Sequence, residues 1–217
     1  MVSYVLIPGA GGAGSYWSRV AALLERAGHQ AVAVDLPGPD ASAGLAQYAD
    51  IVVDAARDLP EVVLVAQSLG GFTAPMAAER LLVRQLVLVN AMIPAPGEMA
   101  GRWWESTGSV QAREEAAGRG GYGDFEVQTY FFHDVDPAEA GEAYEESETV
   151  FGSPCEFTSW PSSVRVLAGA DDRLFPAEFQ ARIARERLGV EADIRSGGHL
   201  IALAQPALVA DYLLAAA

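Results

Sequence analysis

The chain contains no lysine: all 14 of its basic residues are arginine, set against 29 acidic ones in 217 residues. That absence removes Schiff-base chemistry at a lysine and the lysine-dependent phosphate loop. The formal charge of −15 repels nucleic acid and anionic membrane surfaces, so neither is expected as a partner. Cysteine occurs once, as Cys155, which excludes an internal disulfide and a cysteine-paired metal site and reads as structural. No metal ligand set and no cofactor are expected. No apolar run approaches the roughly 18 residues that a membrane span requires. Met1-Val2-Ser3-Tyr4 enters a strand without a basic leader, so a cytoplasmic location is expected. Histidine is scarce too, with three copies, which makes the choice of a general base a matter of elimination.

What is present is alternation. Apolar runs at 2–7, 31–35, 62–67, 84–90, 164–169 and 190–195 read as strands, the longer ones buried on both faces. Helical patterns fall between them: Val20, Leu23, Leu24 and Ala27 before Gly28; Tyr48, Ile51, Val52 and Ala55 before Pro60; then 69–82, 177–188 and 200–216, the last with Pro206 either near its first turns or marking a break. Strands and helices alternating at this spacing predict an α/β fold with a mostly parallel, doubly wound sheet of about six strands. Ligands of such sheets gather at the carboxyl ends of the strands. With 51% hydrophobic residues and no repeat or linker, one domain over 1–217 is expected. Its core would comprise 1–93 and 161–217, with an insertion at 94–160.

The run Val62-Val63-Leu64-Val65-Ala66-Gln67 leads into Ser68-Leu69-Gly70-Gly71, with a helix following at once. This is the strand–turn–helix setting of a nucleophile elbow, with Ala66 in place of its first glycine. A serine hydroxyl needs a base within hydrogen-bond reach, and that base needs an orienting acid. His29 precedes the second strand, at the wrong end of the sheet, and His133 lies in the insertion. His199, in Ser196-Gly197-Gly198-His199, follows a strand and is the expected base. Asp171 and Asp172 follow another strand, and Asp172 is preferred as the acid. Developing negative charge would be met by the backbone N–H of Leu69 and by an N–H of the glycine-rich loop after the first strand, most simply that of Ala10. Gly9 to Gly14 also spells G-x-G-x-x-G with Asp35 as a ribose partner, but a dinucleotide site leaves Ser68 and His199 unexplained.

These motifs together resemble the α/β-hydrolase superfamily across nearly the whole chain. More narrowly they resemble its plant methylesterase and hydroxynitrile lyase branch with its small bacterial relatives. Val5-Leu6-Ile7-Pro8-Gly9-Ala10 with Trp17 is similar to that branch's opening strand and loop, and Ala66-Gln67-Ser68-Leu69-Gly70-Gly71 to its elbow. Asp172-Arg173-Leu174-Phe175-Pro176 with Phe179-Gln180 is similar to its acid motif, and Gly198-His199 with Pro206 to its histidine motif. The resemblance implies an α/β-hydrolase fold with a helical lid insertion. It also implies Ser68, Asp172 and His199 as a catalytic triad, with Ala10 and Leu69 as oxyanion donors. Pro8 and Gln67 stand where the branch carries histidines, which alters the pocket floor. Gly9 and Leu200 stand where its lyases carry threonine and lysine, so lyase activity is not expected.

The insertion 94–160 holds 14 acidic and 3 basic residues and 11 of the 19 aromatics. It is expected to form a cap, acidic outside and aromatic inside, with Gly118 to Gly123 as a hinge. Gln67, Trp103, Phe131 and His133 are the expected substrate contacts. The expected reaction is hydrolysis of a carboxylic ester of a small apolar or aromatic compound. The Pro8-x-Ala10-Gly11-Gly12 loop is also similar to that of type II thioesterases, and a ligand receptor that kept the triad without turnover is a third reading. The oligomeric state is left open.

Overall fold

The computed structural model describes residues 1–139 and 145–215. Six strands, β1 (Ser3–Ile7), β2 (Gln30–Ala33), β3 (Val62–Gln67), β4 (Val83–Val89), β5 (Val164–Gly169) and β6 (Ala192–Arg195), form one sheet. Their order is β2-β1-β3-β4-β5-β6, and every neighbouring pair is parallel. Strands β1 and β3 are buried along their whole length, as their unbroken apolar runs predict, whereas the edge strands β2 and β6 stay half exposed.

The two-residue period of the strands sorts their side chains onto two faces. Tyr4, Leu6, Val63, Val65, Val87 and Val89 pack with α1 (Ser18–Arg26) and α10 (Pro206–Leu214). Val5, Ile7, Leu64, Ala66, Leu86 and Leu88 pack with α2 (Leu45–Ala56), α3 (Gly70–Ala78) and α8 (Ala177–Leu188). The sheet is therefore doubly wound, and all six strands direct their carboxyl ends toward one edge of the molecule.

Two expectations are corrected at element ends, and a third, left open at Pro206, is decided. Helix α3 stops at Ala78 rather than near residue 82, so that Val83 can begin β4. The last helix is two, α9 (Ile201–Ala204) and α10, because Pro206 has no N–H to continue a helix and instead takes the first position of a new one. Ala216 lies outside the described residues. The expected glycine hinge is also absent in its first half: Gly118 and Gly120 belong to α5 (Ser109–Gly120), and Gly121 ends that helix with a left-handed φ of 69°.

Between β4 and β5 the described residues form four helices, α4 (Ala100–Thr107), α5, α6 (Val127–Phe131) and α7 (Glu148–Gly152). Trp103, Val150, Cys155 and Phe157 from this segment belong to the same apolar cluster as β3 and α3. The segment is also tied down by charge. Arg187 of α8 pairs with Glu98 and donates to Ile93 O, and burial of Glu98 is outweighed by these and neighbouring donors, which hold its carboxyl below the usual range. Among the described residues no helix is long and apolar enough to cross a membrane.

Candidate active site

Ser68 sits at the end of β3 with φ +49°, a left-handed backbone that non-glycine residues adopt at a cost of about 1–3 kcal/mol. The strain is held by hydrogen bonds on both sides: Ser68 N donates to Val89 O at 3.4 Å, and Ser68 O accepts from Met92 N at 2.9 Å and from Gly71 N at 3.0 Å. Crowding explains the small residues around it. A Cβ on Gly70 would lie 2.5 Å from Pro8 O, and one on Gly9 would lie 2.9 Å from the Ser68 Cβ. The elbow and the loop after β1 are thus packed backbone to backbone, which no larger residue permits.

His199 Nε2 lies 3.1 Å from Ser68 Oγ, and His199 Nδ1 lies 2.9 Å from Asp172 Oδ2. The three side chains come from loops after β3, β5 and β6, which the parallel sheet brings to one edge. Ser68 is 8% exposed and His199 fully buried, so the pair lies away from bulk water. Asp172 is a well-satisfied buried carboxylate: Oδ1 accepts from Leu174 N at 2.9 Å and Phe175 N at 2.8 Å, and Oδ2 from Gln180 Nε2 at 3.2 Å. That leaves its remaining capacity for the Nδ1–H of His199 and puts the lone pair on Nε2, facing Ser68. Asp171, the alternative acid, faces elsewhere, with Oδ2 accepting from Gly197 N at 3.0 Å.

The N–H groups of Ala10 and Leu69 donate to no other protein group among the described residues. The dinucleotide reading fails at Asp35, whose Oδ1 accepts from Gly14 N at 2.8 Å inside the loop itself. His29 lies at the amino end of β1, where its Nδ1 accepts from Val2 N at 3.3 Å.

The expected substrate contacts separate into three kinds. Phe131 stands edge-on to the His199 ring, with centroids 5.1 Å apart, and walls the site. Gln67 is buried and commits its amide to His199: Nε2 lies 3.2 Å from the ring Nε2 and 3.3 Å from the His199 carbonyl oxygen, which fixes the NH2 end toward the histidine. Trp103 is a correction. It is fully buried, donates to Ile93 O at 3.0 Å and packs edge-on to Phe175 and Phe179, so it supports the acid loop from within the core. His133 Nε2 pairs with the Asp171 carbonyl at 3.0 Å and faces a cavity of about 700 Å³ with Tyr122, Arg119 and Arg173. That cavity reaches Asp172 from behind, and neither Ser68 nor His199 lines it, so its size does not mark it as the place of reaction.

Three residues outside the expected set organise the site. Asn90, at the end of β4 with φ +45°, donates from Nδ2 to Gly198 O at 2.9 Å and His199 O at 3.0 Å while its Oδ1 accepts from Gly169 N at 2.7 Å. It ties the acid strand to the histidine loop, and a polar residue closing the apolar run Leu86–Val89 was its signal. Asp134 and Glu146 come from the segment between β4 and β5, where nothing distinguished them from other acidic residues. Asp134 Oδ2 accepts from Gly198 N at 2.6 Å. Glu146 Oε2 accepts from Gly11 N at 3.0 Å and its Oε1 from Tyr48 OH at 2.7 Å.

Burial raises the Glu146 carboxyl above the usual carboxylate range, and its hydrogen bonds from Tyr48, Gly11 and Ser147 only partly offset this. An acid with a raised folded-state pKa contributes stability that is complete below its unfolded value and is lost as pH rises through the folded one. Glu146→Gln is therefore expected to melt above the wild type at pH 8, with the gap closing as the pH falls toward 4. Calorimetry across that range reads it directly.

Comparison with known proteins agrees with the fold. An extracellular α/β-hydrolase from a Paenibacillus species, which shares structural and functional homology with tobacco salicylic acid binding protein 2, superposes with a TM-score of 0.79 at 18% identity, covering 100% of this chain and 99% of that one. The methylesterase MES16 from Arabidopsis gives 0.77 at 18% identity over 100% and 98%. A pyrethroid hydrolase from Sphingobium faniae gives 0.77 at 20% identity over 99% and 96%. At such identities these likenesses speak for the fold. The rice protein named "Probable esterase PIR7A" (Oryza sativa subsp. indica) is 34% identical over 110 residues, which is 45% of this chain and 42% of the rice protein, so the chain matches less than half of that relative's length. Residues 4–212 match the sequence model of the alpha/beta hydrolase family, and on a match of that extent the chain belongs to it.

Proposed function

We propose that this protein is a serine hydrolase that cleaves a carboxylic ester of a small, neutral, apolar or aromatic compound. The observation that carries the reading is the relay of Ser68 Oγ, His199 and buried Asp172 at 3.1 and 2.9 Å on a strained elbow. Ser68 Oγ attacks the ester carbonyl as His199 Nε2 takes its proton, and the tetrahedral oxyanion points at the N–H groups of Leu69 and Ala10. The C–O bond then breaks, and His199 returns the proton to the leaving alcohol. A water attacks the acyl-enzyme with His199 again as base, releasing the acid and restoring Ser68. Asp172 keeps the imidazole in the tautomer that leaves Nε2 free.

The segment 94–160 serves in this reading as a cap. Its acidic excess disfavours anionic substrates, since like charges at a cleft mouth repel. The test compares a neutral aryl ester with its multiply anionic analogue. At low salt the neutral ester is expected to have the higher kcat/KM, and added salt is expected to narrow the gap. Equal turnover at low salt removes the electrostatic part of the proposal. The same surface weighs against a thioesterase that docks an acidic carrier protein, and an intact relay weighs against a receptor without turnover.

A further inference from the structure

Two of the cap's carboxylates leave its surface and reach the two backbone loops beside the reacting groups. Asp134 accepts from the N–H of Gly198, the residue before His199, and Glu146 accepts from the N–H of Gly11, the residue after Ala10. The partners are 64 and 135 positions apart in sequence, so neither contact is a local turn. The approach of Asp134 is close. A Cβ on Gly198 would lie 2.5 Å from Asp134 Oδ1 and 2.7 Å from His133 Nε2, so the glycine is what admits the pair. Among the described residues Asp134 Oδ1 has no hydrogen-bond partner although it is buried, an arrangement that a merely solvated acidic face would not hold.

Peptide planes decide what these contacts do. Gly198 N–H belongs to the peptide before Gly198 and Gly198 O to the peptide after it. Asp134 of the cap holds the first and Asn90 of the core holds the second, which pins the chain on both sides of the glycine and fixes the origin of the His199 side chain. At the other loop, Gly12 N donates to Gly9 O at 3.1 Å to close the turn, and Glu146 holds the Ala10–Gly11 peptide that the turn would otherwise leave free to rotate. Glu146 is anchored in turn by the buried Tyr48 hydroxyl. Electrostatics cannot be the reason for the Glu146 contact, because a carboxylate beside a developing oxyanion raises the energy of the transition state.

We propose that Asp134 and Glu146 are positioning residues, and that seating the cap sets the His199 loop and the oxyanion loop in their reactive geometry as well as covering the substrate. The proposal rests on the hydrolase reading above. A displacement of about 1 Å at a reacting group costs on the order of 10²-fold in rate. Asp134→Ala and Glu146→Ala are therefore expected to lower kcat for a neutral p-nitrophenyl ester roughly 10- to 100-fold with little change in KM. Asp134→Asn and Glu146→Gln keep a carbonyl acceptor for the glycine N–H and are expected to restore most of that loss. A cap that only covers the site gives the opposite split, with KM moved and kcat kept.

The measurement is steady-state kinetics on these four variants with Ser68→Ala in parallel, each checked by urea unfolding. Where an alanine variant does not fold, Tyr48→Phe, which loosens Glu146 without removing it, is expected to lower kcat several-fold at constant KM. Unchanged kcat in the alanine or Tyr48→Phe variants, or amide variants no better than alanine, overturns the positioning role. Undiminished turnover in Ser68→Ala overturns the hydrolase reading instead, so the two failures are told apart.

Discussion

Replacing Ser68 by alanine is expected to lower turnover of a neutral p-nitrophenyl ester by on the order of 10⁴- to 10⁶-fold and to abolish labelling by a fluorophosphonate probe. The substitution removes one oxygen and leaves Cβ, so the strained φ of +49° and the backbone bonds to Met92 and Gly71 are undisturbed. Among the described residues no second nucleophile stands at His199 Nε2. The other group within hydrogen-bond distance is the Gln67 amide, which cannot attack a carbonyl. Cys155 offers no substitute, since it is buried, its thiol is pushed well up by burial, and its Sγ donates to Phe72 O at 3.0 Å. What survives in the variant is catalysis by binding and by the backbone donors alone. Ester hydrolysis undiminished by the change, or covalent labelling at another residue, would show that the reaction runs elsewhere.

The fold was legible because parallel strands buried on both faces have to be written as continuous apolar runs. Val62–Ala66 and Leu86–Val89 carry no polar residue that could face solvent. The same economy exposed the candidate site: a serine, an aspartate and a histidine left at strand ends, in loops rich in glycine, have few structural reasons to be there. The element ends were less legible. The split at Gln205 depends on whether a proline starts a helix or interrupts one, and composition does not decide that.

The segment between β4 and β5 was legible only in bulk, because three of its four helices are too short to show a clear period and its apolar residues join the core as well as one another. Trp103 illustrates the difficulty: as an aromatic in a cap it reads as a substrate wall, yet its indole N–H finds Ile93 O inside the core. Asp134 and Glu146 were hidden for a related reason. Among 14 acidic residues of one segment, a carboxylate bound to a backbone N–H has the same letter as one dissolved in water. Only the distances to Gly198 and Gly11 separate them.

Asp172→Asn is expected to lower kcat by roughly 10⁴-fold, a magnitude taken from the equivalent change in the chymotrypsin-type triad. The hydrogen bonds around the carboxylate give the reason. Leu174 N and Phe175 N both donate to Oδ1, so in the variant that position has to remain a carbonyl oxygen. The new NH2 group is thereby forced onto the Oδ2 side, where it faces His199 Nδ1. To accept from it, the imidazole must carry its proton on Nε2, and the lone pair that would receive the Ser68 proton is gone. Gln180 Nε2, which also donates to Oδ2, meets a donor in its place, but it retains Phe175 O at 2.7 Å and Asn90 Oδ1 at 3.2 Å, so the acid loop keeps other ties. The loss therefore falls on kcat, while the folded state survives with a modest drop in melting temperature. Asp171→Asn is the control: its Oδ2 holds Gly197 N, not the histidine ring, so it is expected to cost far less. Stopped-flow release of p-nitrophenol from both variants distinguishes them, and equal losses at the two positions would mean that the carboxylates act through the loop rather than through the His199 tautomer.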